Sequence, residues 1–453
     1  MSIVTVTRMR RVRLADLSPA ELDGILTRAT TSTPELRERV RAIIESVRTG
    51  GDDGLRDAGE RFGGGLPRVG DEPVPLSIPA TELRAARDRL PRDLRRGLDE
   101  MARNIERFHA VQVPPAEQWV EVRPGIRVGR VWRGLDRVAA YVPGGSAPLP
   151  SSLLMSAIPA RLAGVRTLVV ATPTGRDGIV SPALLGAAGL MEVQELYVMG
   201  GAQAIAALAY GTQSVRPVDK IVGPGSAWVT EAKLQVLDRC AIDMPAGPTE
   251  VMVVADASAD PVHVAADLIS EAEHGPDSPV VLVTTSAAIG DAIEAQIALQ
   301  LPRLDRKSAI VTALSRGTIV EADSVAAALA FADAYAPEHL SVLVEDDNAA
   351  LRTLRHAGSL FLGGYSPEAA GDYATGSNHV LPTAGLARAY GALSVETFGR
   401  WMQVQRLTKA GLSSIRDSVA VVAEAEGLTA HRRAVDIRFD DELPSTDPLE
   451  DRR

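Results

Sequence analysis

From about residue 137 onward the chain alternates short apolar runs with alanine-rich helical stretches, and that alternation restricts the fold more than any other feature. The runs lie at 138–142, 167–171, 195–199, 220–222, 251–255, 280–284 and 341–344. Most are followed by Gly, Pro, Ser or Asp and then by apolar residues at helical spacing. Strands that are apolar throughout, separated by helices, belong to parallel sheets covered on both faces. Two helices precede this region. The first begins at Thr33-Pro34, carries Leu36, Val40, Ile43, Ile44 and Val47, and ends at Gly50-Gly51. The second carries Leu94, Leu98, Met101, Ile105 and Phe108 and stops before Pro114-Pro115. At the other end, 394–412 and 413–426 read as helices joined near Gly411, Gly427 closes the second, and Thr429 caps a short third piece. The polar, proline-broken tail reads as disordered. No internal repeat is visible, although two similar sheet domains could conceal one.

A chain of 453 residues exceeds what one core usually supports, so at least two domains are expected. A formal charge of -10 argues against nucleic acid as a partner, and no apolar run reaches membrane-spanning length. The single Cys240 excludes an internal disulfide and fits a reducing cytoplasm, and the N-terminus lacks the apolar stretch of a signal peptide.

Five polar loops stand where ligands usually bind, beginning near Tyr141, Met199, Val222, Asp243 and Ala370. Gly-rich strand-to-helix turns suit a nucleotide phosphate, yet none follows the dinucleotide or Walker pattern, so each reads equally as a tight turn. The titratable residues say more. In "SEAEHGP", Glu271 and His274 are three apart on one face at a helix end, where the macrodipole disfavours anions. They read as a cation site or as a solvated helix end. Glu271, His274, Asp372, His379 and His431 are oxygen and nitrogen donors that suit zinc, His431 only if its segment folds back or crosses to a second subunit. Adjacent Glu338 and His339 offer a base and a proton shuttle near neutral pH. His109 and His356, with charged neighbours on helical patterns, read as solvated, and His263 as unremarkable.

Taken together, "AYVPGGSAPLPSSLLMSAIPARLAG", "VMGGAQAIAALAYGT", "DKIVGPGSAWVTEAK", "IDMPAGPTEV", "DLISEAEHGPDS", "YAPEHL", "AGDYATGSNHVLPT" and "AEAEGLTAHRRAV" resemble histidinol dehydrogenase, in the family's order across 140–435. The resemblance implies a zinc- and NAD-dependent enzyme, with one Zn2+ per active site, that oxidises L-histidinol to L-histidine through an aldehyde, the last step of histidine biosynthesis. It implies Glu338 and His339 as the acid–base pair, and Glu271, His274 and Asp372, with His431 of the partner subunit, as metal ligands. Thr249, His379 and Glu426 map to substrate contacts, as do His339 and the metal ligands. Tyr141, Gln203 and Ser226 map to the cofactor. The implied architecture is α/β, two Rossmann-like parallel-sheet domains with helical N- and C-terminal arms. Its expected parts are an arm at 1–29, a discontinuous main domain at 30–139 and 249–393, an inserted NAD domain at 140–248, a dimerisation arm at 394–438 exchanged between the subunits of a homodimer, and a tail at 439–453. A related zinc/NAD dehydrogenase for another small polar alcohol is the competing enzyme, and a non-catalytic binding protein the competing class.

Three positions depart from the family's usual residues: Glu271 for Gln, Ser226 for Asn and Thr249 for Ser. Each keeps an oxygen. Glu271→Gln is therefore expected to retain both zinc and turnover of L-histidinol, measured by metal content and NADH absorbance. Loss of both would show that position 271 is not equivalent to the family's amide.

Overall fold

The computed structural model describes residues 8–28, 32–64, 75–144, 149–175 and 178–440, so the tail from 441 and part of the Tyr141 loop lie outside the described residues. Its strands are β1 (Arg10–Arg13), β2 (Ser77–Ile78), β3 (Glu117–Arg123), β4 (Ile126–Gly134), β5 (Arg137–Tyr141), β6 (Thr167–Thr172), β7 (Glu195–Val198), β8 (Lys220–Val222), β9 (Ala241–Ile242), β10 (Val251–Ala255), β11 (Val280–Thr284), β12 (Thr318–Glu321), β13 (His339–Leu343), β14 (Ser359–Leu362) and β15 (Gly399–Leu407). All seven expected runs are strands. The central ones, β5, β10, β11 and β13, are buried at every position, as a sheet with helices on both faces requires.

Two six-stranded sheets result. One has the order β2-β7-β6-β5-β8-β9, parallel except for the antiparallel edge strand β2; the other has the order β1-β12-β11-β10-β13-β14, parallel throughout. Without their edge strands β2 and β1, both sheets run 3-2-1-4-5 in their own strand numbering. The repeat that the sequence conceals is thus topological. In each sheet the chain leaves the first strand in one direction and later returns to its other side. The switch points fall between β5 and β8 and between β10 and β13.

The N-terminal segment supplies helix Pro19–Leu26 and also edge strand β1, which pairs with β12 in parallel. Arg11 within it contacts Asp291, Glu294 and Glu321. The helix from Pro34 continues to Phe62 through a break at Gly51 (φ 59°, ψ -133°). That helix, assigned by its position to the main domain, packs instead on helices Gly201–Tyr210 and Ala227–Gln235 of the first sheet. His109, read as solvated, is fully buried, its Nδ1–H donating to the Ile105 carbonyl at 2.8 Å.

By compactness the chain divides into two units, Met1–Val113 with Gly134–Gly399, and Pro114–Arg133 with Arg400–Arg453. The second contains the antiparallel sheet β15-β4-β3 and helices Lys409–Ser413, Arg416–Ala425 and Thr429–Asp436. Residues 399–407, expected as helix, form strand β15. Trp401, Val404 and Leu407 are spaced by three and so imitate a helical stripe, but Trp401 packs edge-on against Trp132 (5.5 Å) beneath the Arg130 guanidinium (4.1 Å).

Gly223, after β8, has φ +109°, and a Cβ there would collide with the Tyr141 carbonyl oxygen. Its N–H donates to Asp243 (2.7 Å), and its carbonyl accepts from Lys233, which is also paired with Asp243. Gly223→Ala is expected to destabilise the protein by about 2 kcal/mol or more, read as a lower denaturation midpoint. An unchanged midpoint would show that this turn tolerates a side chain.

Candidate active site and metal centre

Strands β10 and β13 lie in register with Val251 opposite His339, which brings the residues just before each strand side by side. Glu250 and Glu338 grip each other there: the Glu250 N–H donates to the Glu338 carboxylate (2.9 Å), and the Glu338 N–H donates to the Glu250 carboxylate (3.3 Å). Glu250 is clamped by Arg28, whose Nε and Nη2 reach its two oxygens at 2.7 and 2.5 Å. Arg28 also donates to the Tyr335 carbonyl and stacks 3.6 Å from the Tyr335 ring centre. Neither Glu250 nor Arg28 carries a local sequence signature, and sequence reading missed both.

His339 opens β13, almost wholly buried. Its Nδ1 lies 3.3 Å from the Glu250 carbonyl oxygen. A carbonyl only accepts, so this contact assigns the proton to Nδ1 and leaves Nε2 with a free lone pair. Burial pushes the imidazole down to about 3, so it stays neutral. Nε2 has no hydrogen-bond partner and lies 4.0 Å from Asp372 Oδ1. Burial, reinforced by the Glu271 charge, holds the Glu338 carboxyl well above the usual range.

The stretch "SEAEH" ends helix Pro261–Ala272, as its spacing predicted. Glu271 points inward at 0 % exposure with neither oxygen hydrogen-bonded, and burial pushes its carboxyl up to about 7, only partly offset by nearby Glu368 and Thr249. His274, exposed, has Nε2 4.0 Å from Asp372. Asp372 lies on helix Glu368–Tyr373, its carboxyl pushed up to about 6 by burial against the pull of His274. His379 donates through Nδ1 to the Asp372 carbonyl (3.1 Å), while Nε2 meets the Ser152 hydroxyl (3.1 Å). Burial pushes its imidazole down to about 4. Buried His109 lies under this loop, 3.3 Å from Asn378, which also donates to the Met155 carbonyl. Thr249 is half-buried next to Glu250.

Two sets of three donors are close enough to hold a metal ion: Glu271, His339 and Glu368, and His274, Glu368 and Asp372, with donor atoms within 4.8 Å of one another in each. Buried, unpartnered carboxylate oxygens beside imidazole nitrogens suit a divalent cation such as zinc. Glu368 belongs to both sets and was missed; its only sequence signal is the four-residue spacing to Asp372. Glu426 and His431 lie in the second unit, both exposed, outside these sets.

Of the residues mapped to the cofactor, Tyr141 and Ser226 lie at the other switch point, and Gln203 lies on the helix after β7. Tyr141 ends β5, and its hydroxyl accepts the Gly201 N–H (3.2 Å). Gln203 is buried and donates to the Gly63 carbonyl (2.8 Å). Ser226, exposed, precedes helix Ala227–Gln235 in the loop after β8. Tyr141 and the Gly223–Ser226 loop thus flank the β5/β8 crevice at the carboxyl edge, where doubly wound sheets bind nucleotides. Helix Pro150–Ala163, which follows β5, carries Ser152 to His379, so this edge lies against the amino edge of the second sheet.

A carboxyl whose pKa rises on folding stabilises the fold only at low pH; that contribution is lost as pH climbs from about 4.5 through the folded value. Glu338→Gln is therefore expected to raise Tm by roughly 2 °C or more at pH 8 in chelator-treated protein, with the gap closing toward pH 5. Thermal denaturation at both pH values checks this, and a lower Tm at pH 8 would contradict it.

Similar proteins carry a common description. The sequence model of the family described as histidinol dehydrogenase matches residues 26–439. The histidinol dehydrogenase of Vibrio parahaemolyticus is 44% identical over 436 residues, covering 95% of this chain and 99% of the relative. That of Methanosarcina barkeri is 41% identical over 427 residues, covering 94% and 97%. The crystal structure of histidinol dehydrogenase from Elizabethkingia anophelis superposes with a TM-score of 0.88 at 37% identity, covering 95% of this chain and 98% of that one.

Proposed function

The chain belongs to the histidinol dehydrogenase family, and on that premise we propose that it oxidises L-histidinol to L-histidine in two NAD-linked steps with a bound zinc ion. The observation that carries this reading is the neutral, buried His339 beside Glu338, within reach of an unpaired set of metal donors. When bound, zinc would hold the substrate's imidazole and amine, and NAD would accept the hydride of each oxidation.

His339 Nε2, unprotonated and without a hydrogen-bond partner, takes the hydroxyl proton as the first hydride leaves, giving the aldehyde. Glu338, in its ionised form, takes a proton from the water that adds to the aldehyde, while protonated His339 returns its proton to the former carbonyl oxygen, giving the hydrate and restoring the neutral imidazole. His339 then deprotonates the hydrate as the second hydride leaves. Each oxidation thus transfers one hydride and one proton, and water supplies the second carboxylate oxygen. Glu271, His274 and Asp372, with His431 of the partner subunit, would hold the metal. Thr249, His379 and Glu426 of the partner subunit would orient the substrate, and Tyr141, Gln203 and Ser226 the cofactor.

Support for the cofactor part is the pairing of the β5/β8 crevice with the acid–base edge through Ser152 and His379. Support for a homodimer is the apolar exposure of the second unit, with Val120, Val122, Met402, Val421 and Val422 each half exposed or more. Among the described residues no helix is long and apolar enough to cross a membrane. Support for a cytoplasmic location is that the single cysteine, Cys240, is free and buried, as suits a reducing compartment.

Chelator-sensitive reduction of NAD with L-histidinol, followed by NADH absorbance, is the expected result, and His339→Asn should lower kcat by about 10²–10⁴-fold. Turnover of other small alcohols but not L-histidinol would move the reading to a related dehydrogenase. No turnover of any alcohol would overturn it.

A further inference from the structure

We infer that Glu368 binds the divalent cation directly, so that this chain alone supplies four donors. The inference rests on the metal site proposed above. Glu368 is 1 % exposed, and its Oε2 has no hydrogen-bond partner. Both Glu271 oxygens are in the same condition at 0 % exposure. Among the described residues no Lys or Arg forms an ion pair with either carboxylate, whereas Glu250, equally buried at 1 %, is clamped by Arg28. An ionised carboxylate away from water needs a positive partner.

Placement supplies the second argument. Glu368 and Asp372 are four residues apart on helix Glu368–Tyr373, and Glu271 and His274 three apart at the end of helix Pro261–Ala272, which packs against it. Both spacings put the paired side chains on one helix face. Two facing pairs of this kind, three carboxylates and one imidazole, make a compact donor set on rigid elements. Glu368 is the one residue common to both groups of neighbouring donors. A ligand at that point ties Glu271 to His274 and Asp372 around a single ion. The ion is then held by one chain, with His431 of the partner subunit as an addition to the set rather than a condition for binding.

The alternative is that Glu368 and Glu271 share a proton and Glu368 never meets the metal. Isosteric Glu368→Gln separates the two. Full-length protein stripped with chelator is titrated with Zn2+ against a chromophoric competitor, and the visible absorption of the Co2+-loaded protein is recorded. Direct ligation predicts at least tenfold weaker Zn2+ binding in Glu368→Gln, a changed Co2+ band, partial recovery in Glu368→Asp, and an apoprotein Tm no lower than the parent. Affinity loss alone could also come from an outer hydrogen-bond partner, so the Co2+ band decides whether contact is direct. His431→Ala is expected to weaken Zn2+ less than Glu368→Gln does. A Glu368→Gln protein with parental Zn2+ affinity and an unchanged Co2+ band overturns the inference while leaving the metal site itself intact. A parent protein that takes up no Zn2+ overturns both.

Discussion

The mutual grip of Glu250 and Glu338 is the contact on which the site depends. Each backbone N–H donates to the other's carboxylate, across the two central strands of the second sheet. Two carboxylates this close repel unless one is neutralised, and Arg28 does that for Glu250 with a two-pronged contact. The Ala384 N–H adds a further donor at 3.1 Å. With Glu250 held by Arg28, its carbonyl is placed to orient His339. The proton on His339 Nδ1 is thereby set by a residue outside the proposed acid–base pair. Removing one member of a buried pair leaves a bare charge, which costs far more than the intact pair contributes, so the arrangement holds as a unit.

The same topology is used at opposite ends. In the first sheet the loops after β5 and β8 form the crevice that doubly wound folds commonly offer to nucleotides. In the second sheet the corresponding carboxyl edge carries none of the residues assigned to chemistry. Glu338 instead precedes β13 and His339 opens it, and Glu271 and His274 end the helix that leads back toward β11. Amino edge therefore meets carboxyl edge, with the Ser152–His379 contact at the junction. Hydride transfer requires the nucleotide and the acid–base pair on a common substrate, and placing like edges together would have separated them by the length of a strand.

Where the physics was local, the sequence was legible. Apolar runs bounded by turn residues marked the strands, and the spacing of Glu271 and His274 marked one face of a helix end. Glu338-His339 stood out as a dipeptide before a strand. What escaped was decided by distant partners. Glu250 and Glu368 each follow a Pro or Thr like many surface carboxylates, and only Arg28, some 220 residues away, or a second helix gives them meaning. His109 has charged neighbours, yet its ring turns under the Asn378 loop. β15 was lost because a three-residue apolar spacing is ambiguous when a strand lies on one face of a small sheet.

Burial drives six titratable groups at the centre toward their neutral forms: the carboxyls of Glu271, Glu338, Glu368 and Asp372 upward, the imidazoles of His339 and His379 downward. The directions are opposite but the cause is one, the loss of water around charge. Neutral imidazoles are the form that accepts protons and binds metal, so for them burial and function agree. For the carboxylates they conflict, because ligands must be ionised. A divalent ion resolves the conflict by supplying the charge that water no longer does, and by linkage its binding must release the protons that burial favours. The proposed zinc ion would thus complete the pocket by supplying the positive charge that its buried carboxylates lack.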